Sequence, residues 1–399
     1  MKTLSFRLDS GLPADVRESL RKNLYWTDRA VRGVEVSDED PATVTITCPE
    51  GTDEERLTAH VLADVATMTA ELGQFPSRTV YESPGEPAAG RPAPLPPDRV
   101  LGELTARGWV SEELAGSFVY TGLMADLYYG LEHTFAETAR QLGAREIHLP
   151  ALLGTGTLLR SGYLADNAHA GNYVFHLHED RELRSRFAAA LPPDATEVDL
   201  GGLDTSADRP EAVLSPAACQ PVFPALAGRR LTGPVRLTGY TRCYRYESGA
   251  THGLGRAREF GVREIVCAGS EAEVAAFRDE LLAVCRTLLE RFGLRGKVVT
   301  ASDPFFIDTS ARYRAFQLSF ELKHEVQLDL GQGPPVAAAS VNRHGDHFAQ
   351  AWDIGLAGGG TAHSCCMGFG IDRWCLGVFS QFGCEVEQWP LSLRKVVAG

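Results

Sequence analysis

Apolar and polar positions change rhythm several times along this chain. Leu4, Phe6 and Leu8 alternate with polar residues, the period-two pattern of a half-buried strand. The run Ala42–Cys48, Ala-Thr-Val-Thr-Ile-Thr-Cys, is β-rich in the same way. Between them, Pro13 to about Val31 reads as helical, and Asp53–Leu72 places Leu57, Val61, Val65 and Met68 at helical spacing. Residues 1–82 therefore predict a small α+β domain, with no catalytic constellation of its own. Ser83–Asp98 then carries six prolines and two glycines, which oppose both helix and strand, so 83–98 is read as a linker.

From residue 99 to residue 399 a second, larger α+β domain is expected. Ala125–Leu142 predicts a long helix with Leu127, Leu131 and Phe135 on one face, followed by a short strand ending at Pro150. Residues 177–212 are polar, with Pro192, Pro193, Gly201 and Gly202, and read as a surface insertion. Ser270 and Glu273 form a capping box that opens a helix with Val274, Phe277, Leu281, Val284 and Leu288 on one stripe. Residues 315–342 alternate as further strands of an antiparallel sheet, and Gly355–Gly360 is a glycine-rich turn.

The densest chemistry lies between Gly239 and Gly269. Tyr244 and Tyr246 at one end, and Ile265, Val266 and Cys267 at the other, predict two antiparallel strands. The middle, Gly249–Arg258, is too glycine-rich and basic for a buried ladder and reads as a long loop. Arg242, Arg245, Arg256, Arg258 and Arg263 fall within this hairpin, interleaved with Glu247, Glu259 and Glu264. Arginine suits fork-like binding of phosphate or carboxylate. A solvated hairpin laced with surface ion pairs fits the composition equally well.

Charge and composition narrow the partners. The chain has 399 residues and a formal net charge of −13, and its basic residues form no run or stripe outside the hairpin. That opposes a DNA-binding role and any tight non-specific hold on nucleic acid. No apolar run approaches membrane-spanning length, and the N-terminus lacks the apolar centre of a signal peptide. Nine scattered cysteines are not a disulfide framework and predict a reducing cytoplasm.

The order of residues in the hairpin resembles motif 2 of the class II aminoacyl-tRNA synthetases: Arg-x-Glu, a glycine-rich loop, an arginine, then Glu-Phe and a second strand. Gly368-Phe369-Gly370-Ile371-Asp372-Arg373 is similar to motif 3 of the same family, with Asp372 in place of the usual glutamate. The helix and strand ending at Pro150 have the shape of motif 1, which builds the dimer interface there. The resemblance covers roughly residues 99–390. It implies a six- or seven-stranded antiparallel sheet flanked by helices, ATP and Mg²⁺ as cofactors, and a homodimer. Arg245 would hold the α-phosphate, Glu247 the adenine amino group and Arg256 the γ-phosphate. Phe260 would stack on adenine, and Arg373 would be a second γ-phosphate clamp. Arg245 and Arg373 are thus the expected catalytic residues.

Ser248–Phe260 further resembles the zinc-dependent, archaeal-type seryl-tRNA synthetases. Ala-Ala-Cys219-Gln-Pro-Val-Phe-Pro and Asn342-Arg-His-Gly-Asp346-His347-Phe348 resemble the amino acid:[carrier protein] ligases. By that resemblance Cys219, Glu264 and Cys366 would bind Zn²⁺, and Glu264 and Asn342 would contact the substrate. Cys267, Cys365 and Cys375 do not match ligand positions. Taken alone, each cysteine is more often a buried free thiol. The synthetases carry an acidic Mg²⁺ ligand before their Ser-x-Asn stretch, whereas Pro334–Asn342 here is apolar until Ser340.

The expected activity is ATP-dependent adenylation of a small amino acid. Three second steps stay open: transfer to the phosphopantetheine thiol of a carrier protein, charging of a serine tRNA, or none, in a non-catalytic regulatory paralogue. The intact arginine set opposes the third, and the net charge favours the carrier.

Overall fold

In the computed structural model, the structure describes residues 1–9, 11–12, 14–72, 77–85, 94–176, 180–190, 210–247, 253–301, 321–331 and 334–398. The N-terminal unit consists of β1 (Lys2–Arg7), α1 (Ala14–Asn23), β2 (Gly33–Val36), β3 (Thr43–Cys48) and α2 (Glu54–Leu72). Its strands pair antiparallel in the order β1-β3-β2. The alternation in β3 sends Val44, Ile46 and Cys48 inward against Leu57, Val61, Val65 and Met68 of α2, closing a core of its own. The helical reading of Pro13–Val31 is realised over α1 and a short 3-10 turn at Leu24–Trp26.

Next in the chain comes β4 (Thr79–Pro84), which joins not this unit but the edge of a large sheet, antiparallel to β14 (Arg295–Ala301). The boundary expected at residue 82 falls inside this strand. Pro84 sits at its end on an outer edge, where a missing N–H costs no ladder bond. Then follow α3 (Pro97–Ala106), the hairpin β5 (Val110–Leu114) and β6 (Ser117–Tyr120), α4 (Gly122–Gln141) and β7 (Arg145–Glu146). A small sheet of β8 (Leu152–Gly154), β9 (Asn172–Val174) and β10 (Ala212–Leu214) brackets the insertion. Of the expected surface insertion 177–212, the described part includes the helix Arg181–Ala190, and 177–179 and 191–209 lie outside the described residues.

The large sheet contains β12 (Val235–Tyr244), β13 (Glu259–Gly269), β14, β15 (Lys323–Leu328), β16 (Val336–Gly345) and β18 (His363–Gly370), in the order β4-β14-β15-β16-β18-β13-β12-β7. It has eight strands rather than six or seven, because β4 and the two-residue β7 extend its edges. Every pair is antiparallel except β7 with β12. Of the alternating stretch 315–342, residues 315–320 and 332–333 lie outside the described residues, and the rest forms β15 and most of β16.

Two cores lie on opposite faces of this sheet. On one face α4, α9 (Glu271–Phe292) and the helix Ile371–Phe382 pack over Ile265, Cys267, Cys365, Met367 and Phe369. The capping box at the start of α9 is formed: Ser270 and Glu273 satisfy each other's backbone N–H. On the other face a smaller core gathers Val262, Val266, Cys243 and Cys366 with Phe223, Phe348 and Trp352. Phe223 and Phe348 stack at 4.0 Å, linking the short helices Val222–Ala225 and His347–Trp352. This second face carries the candidate site. Phe135 of α4 stacks on Phe369 at 4.3 Å and lies 5.5 Å from Trp374. Phe135→Ala is expected to destabilise the fold by about 3–5 kcal/mol, measured as a shift of the urea unfolding midpoint.

Candidate functional site

Strand alternation assembles the site. In β13 and β18, Glu264 pairs with Gly368 and Val266 with Cys366, so Glu264 and Cys366 project to the same face, one row apart. Cys365 and Cys267 stand opposite each other on the other face, inside the helix-covered core with Cys375. Cys219 reaches the site from the turn ahead of the helix Val222–Ala225. The ligand atoms of Cys219, Glu264 and Cys366 all lie within 4.8 Å of one another. The three residues are 9%, 5% and 2% exposed.

Three acidic groups in so dry a place oppose one another's charge. Burial pushes the Glu264 carboxyl up to about 7, against the pull of the Cys366 thiol and Arg245. Cys366 is held well above the usual thiol range by its hydrogen bond with Cys219, by burial and by the neighbouring Glu264 charge. A divalent cation would relieve this frustration, and two thiolates with one carboxylate suit Zn²⁺ while leaving one coordination position open. The donor set therefore fits the metal. Cys243, nearby on β12, is fully buried, which raises its pKa and keeps the thiol neutral.

Asn342 lies opposite Cys366 in the β16–β18 register, and its Nδ2 is 3.6 Å from Cys366 Sγ and 3.3 Å from Ser340 Oγ. The expected substrate residues Glu264 and Asn342 thus border the same three-ligand cluster. His344, two positions on, brings Nε2 to 3.5 Å from the same sulfur.

The expected ATP residues gather beside this cluster. Arg245 follows directly after β12, anchored by Nε to the Pro216 carbonyl oxygen at 3.0 Å, and its guanidinium lies 5.5 Å from the Phe260 ring centroid. Arg256 Nε donates to Glu247 Oε2 at 2.8 Å. Burial works to raise the Glu247 pKa, but Arg256 and Arg245, with Arg373 beyond, outweigh it and hold the carboxyl below its ordinary value. Arg373, in the first turn of the helix Ile371–Phe382, donates through Nη1 to the Ala337 carbonyl oxygen at 2.8 Å. Burial and the repulsion of Arg245 lower its pKa. Arg245, Arg256 and Arg373 thus form one positive cradle, partly offset by Glu247. The loop residues Ser248–His252 lie outside the described residues.

Residues 204–375 match the family described as the tRNA synthetase class II core domain (G, H, P, S and T). Over 265 residues the chain is 33% identical to amino acid--[acyl-carrier-protein] ligase 2 of Bradyrhizobium diazoefficiens, an alignment covering 65% of this chain and 76% of that protein. Over 364 residues it is 30% identical to the type-2 serine--tRNA ligase of Methanopyrus kandleri, covering 85% of this chain and 68% of that protein. The chain belongs to the class II tRNA synthetase family. It is a ligase, and its fold is the class II catalytic fold. Among solved structures, the M. kandleri SerRS in complex with A. aeolicus tRNASec superposes with a TM-score of 0.70 at 26% identity, over 99% of this chain and 77% of that chain.

In this class II ligase, Asp372 serves as a buried tie rather than a site residue. Its Oδ1 accepts from Tyr120 Oη at 2.6 Å and its Oδ2 from the Gly261 N–H at 2.7 Å, pinning the motif 3 helix to β6 and to motif 2. Gly261 has no side chain for a reason: a Cβ there would collide with the Tyr128 hydroxyl. Arg242, Arg258 and Arg263, counted in the same basic hairpin, are held by other partners. Arg242 bonds Glu259 at 2.9 Å, Arg258 bonds Asn172 Oδ1 at 3.1 Å, and Arg263 is buried between Glu132 and Glu146. Motif 2 also touches the N-terminal unit, since Trp26 meets His169 edge-on at 4.3 Å and Tyr246 at 6.4 Å.

Two site residues escaped the sequence reading: His344 and Glu325. The signal for His344 was present, because it follows Asn342 by two in a strand and alternation places both on one face. Glu325 stands opposite Ser340 in the β15–β16 register, bonded to Lys323 at 3.1 Å. Purified protein is expected to hold one zinc per chain by elemental analysis, and Cys366→Ala to lose it; full retention in that variant would remove the site. Zinc taken up by metal-stripped protein should tighten between about pH 6 and about pH 8, because the thiols and the carboxyl must shed protons to bind.

Proposed function

We propose that this ligase activates a small amino acid (glycine, alanine or serine) as its adenylate and passes it to the phosphopantetheine thiol of a carrier protein. The observation that carries the reading is the adjacency of the Cys219–Glu264–Cys366 cluster and the Arg245–Arg256–Arg373 cradle, since the Arg245 charge acts on both Glu264 and Glu247. Glu247 and Phe260 would hold adenine. Arg245 would sit at the α-phosphate and neutralise the charge that develops when a substrate carboxylate oxygen attacks phosphorus. The bond to the bridging oxygen breaks as the new P–O bond forms, and pyrophosphate leaves into the grip of Arg256 and Arg373. Catalysis is then mainly positioning and electrostatics.

Cys219, Glu264 and Cys366 would hold Zn²⁺, whose open position supplies a Lewis-acid seat for the neutral amino group of the substrate. Asn342 and Glu264 would orient that group and leave the carboxylate facing the phosphate. Glu325, whose charge acts on Arg373, would be a candidate carboxylate for Mg²⁺. In the second step a thiol attacks the adenylate carbonyl, forming a thioester and releasing AMP. We read the chain as a cytoplasmic homodimer, with α4 and the following strand as its interface and the N-terminal unit, from β1 through α2, as an accessory module.

The carrier reading is supported by the net charge of −13, which opposes a phosphate-rich tRNA, and by the 33% identity to a carrier-protein ligase. The N-terminal arginines add to it. Arg17 donates to the Asp38 and Glu39 carbonyl oxygens, and Arg21 to that of Val36, so both serve the β2–β3 turn rather than a phosphate track. The second reading, serylation of tRNA, draws on the match to the serine--tRNA ligase over 85% of the chain, against 65% for the carrier ligase.

Arg245→Ala is expected to lower amino-acid-dependent pyrophosphate exchange by at least about two orders of magnitude, the scale of losing one preorganised charge donor. Radiolabelled amino acid offered with a phosphopantetheinylated carrier and with bulk tRNA should label the carrier. Labelling of tRNA alone would replace the first reading with the second.

A further inference from the structure

We infer that His344 is a positioning residue for the metal-binding thiolate: its Nε2–H donates to Cys366 Sγ and so tunes how strongly the metal holds the substrate's amino group. The inference rests on the zinc reading above and adds a residue to it.

The ring is fixed on every side the structure shows. Nε2 lies 3.5 Å from Cys366 Sγ, and Nδ1 lies 3.0 Å from the buried Ser364 hydroxyl. Phe223 and Phe348 meet the ring edge-on, at 5.9 and 4.8 Å between centroids. The position itself is a register break: the β16–β18 ladder shifts between Arg343 and Gly345, with His344 at the irregularity. Such bulges re-aim a side chain next to a site.

The direction of the hydrogen bonds follows from the chemistry of the sulfur. A metal-bound thiolate has no proton to donate, so Nε2 must carry the hydrogen. Nδ1 is then the acceptor, and the Ser364 hydroxyl donates to it. Asn342 Nδ2, at 3.6 Å, is a second N–H donor to the same sulfur.

The alternative is that His344 is itself a ligand. Two ligands of one tetrahedral zinc are separated by roughly 3.5 Å, from Zn–S and Zn–N bonds of about 2.3 and 2.0 Å, so the distance to Cys366 alone does not decide. The other ligands do. Among the described residues, the group of mutually close ligand atoms consists of Cys219, Glu264 and Cys366, without His344. A histidine near one sulfur and outside the cluster is a donor to that sulfur. The open coordination position is thereby left for substrate.

N–H donation draws electron density from the thiolate. The sulfur would give less charge to a bound metal, and an amine would be held there more tightly. Outer partners of this kind commonly change metal affinity or activity by about 10–100-fold.

The test uses full-length protein loaded with Co²⁺ in place of zinc, comparing wild type, His344→Gln, which keeps an N–H donor, and His344→Phe, which keeps the ring packing alone. All three should bind one cobalt per chain. The sulfur-to-cobalt charge-transfer band should move to lower energy in His344→Phe and stay near the wild-type position in His344→Gln. In the zinc enzymes, the KM for the amino acid should rise about ten-fold in His344→Phe, with kcat changing less and His344→Gln restoring much of it. A His344→Phe band that superimposes on the wild type would overturn the inference and leave the zinc reading standing. Loss of cobalt, or a changed coordination number in both variants, would overturn it in favour of direct ligation. A wild-type protein that binds no metal would instead sink the zinc reading, and this inference with it.

Discussion

Three acidic side chains share one buried corner of this sheet, and most of the site's architecture follows from the difficulty of keeping them there. Cys219, Glu264 and Cys366 are almost dry, and their ligand atoms lie within 4.8 Å of one another. Without a cation, at least some must stay protonated; with one, their mutual repulsion becomes binding energy. The positive charge of Arg245 acts on Glu264, and the same arginine belongs to the positive cradle. The two halves of the proposed chemistry, seating an amine and attacking a phosphate, are thus electrostatically joined through one arginine.

The sheet makes this possible by giving its two faces different work. Cys365 and Cys366 are neighbours in sequence, yet one lies in the helix-covered core and the other in the site. The same division separates Arg263, closed between Glu132 and Glu146, from Glu264. The helix-covered face is apolar and tightly packed, with Phe135, Phe369 and Trp374 in ring contact beneath motif 3. Asp372 adds a polar tie between motif 3, motif 2 and β6. A rigid back wall holds charged groups at fixed separations on the front, which is what catalysis by positioning needs.

The N-terminal unit has its own hydrophobic core, but two links bring it to the catalytic sheet. β4 extends the sheet by one strand, and Trp26 packs against His169 and against Tyr246 beside motif 2. The alignment with the carrier-protein ligase covers 65% of the chain and that with the serine--tRNA ligase 85%. The shared catalytic core explains why both resemblances are strong at once.

By itself the sequence determined the elements whose physics is local. Alternation marked β1 and β3, helical spacing marked α2, α4 and α9, and the capping box at Ser270 marked where α9 begins. The sequence's resemblance to motifs 2 and 3 also singled out Arg245, Glu247, Arg256, Phe260 and Arg373 as candidates. Tertiary structure alone decided what depends on strand register and burial. It moved β4 across the boundary suggested by composition, since an edge strand is stabilised by the partner it pairs with rather than by its own residues. It also separated Arg245, Arg256 and Arg373 from Arg242, Arg258 and Arg263, which are taken up by Glu259, Asn172 and Glu132. Alternation puts His344 on the same face as Asn342, but that this face meets Cys366 was decided by the β16–β18 register, and no local pattern records which residue lies across a ladder from which.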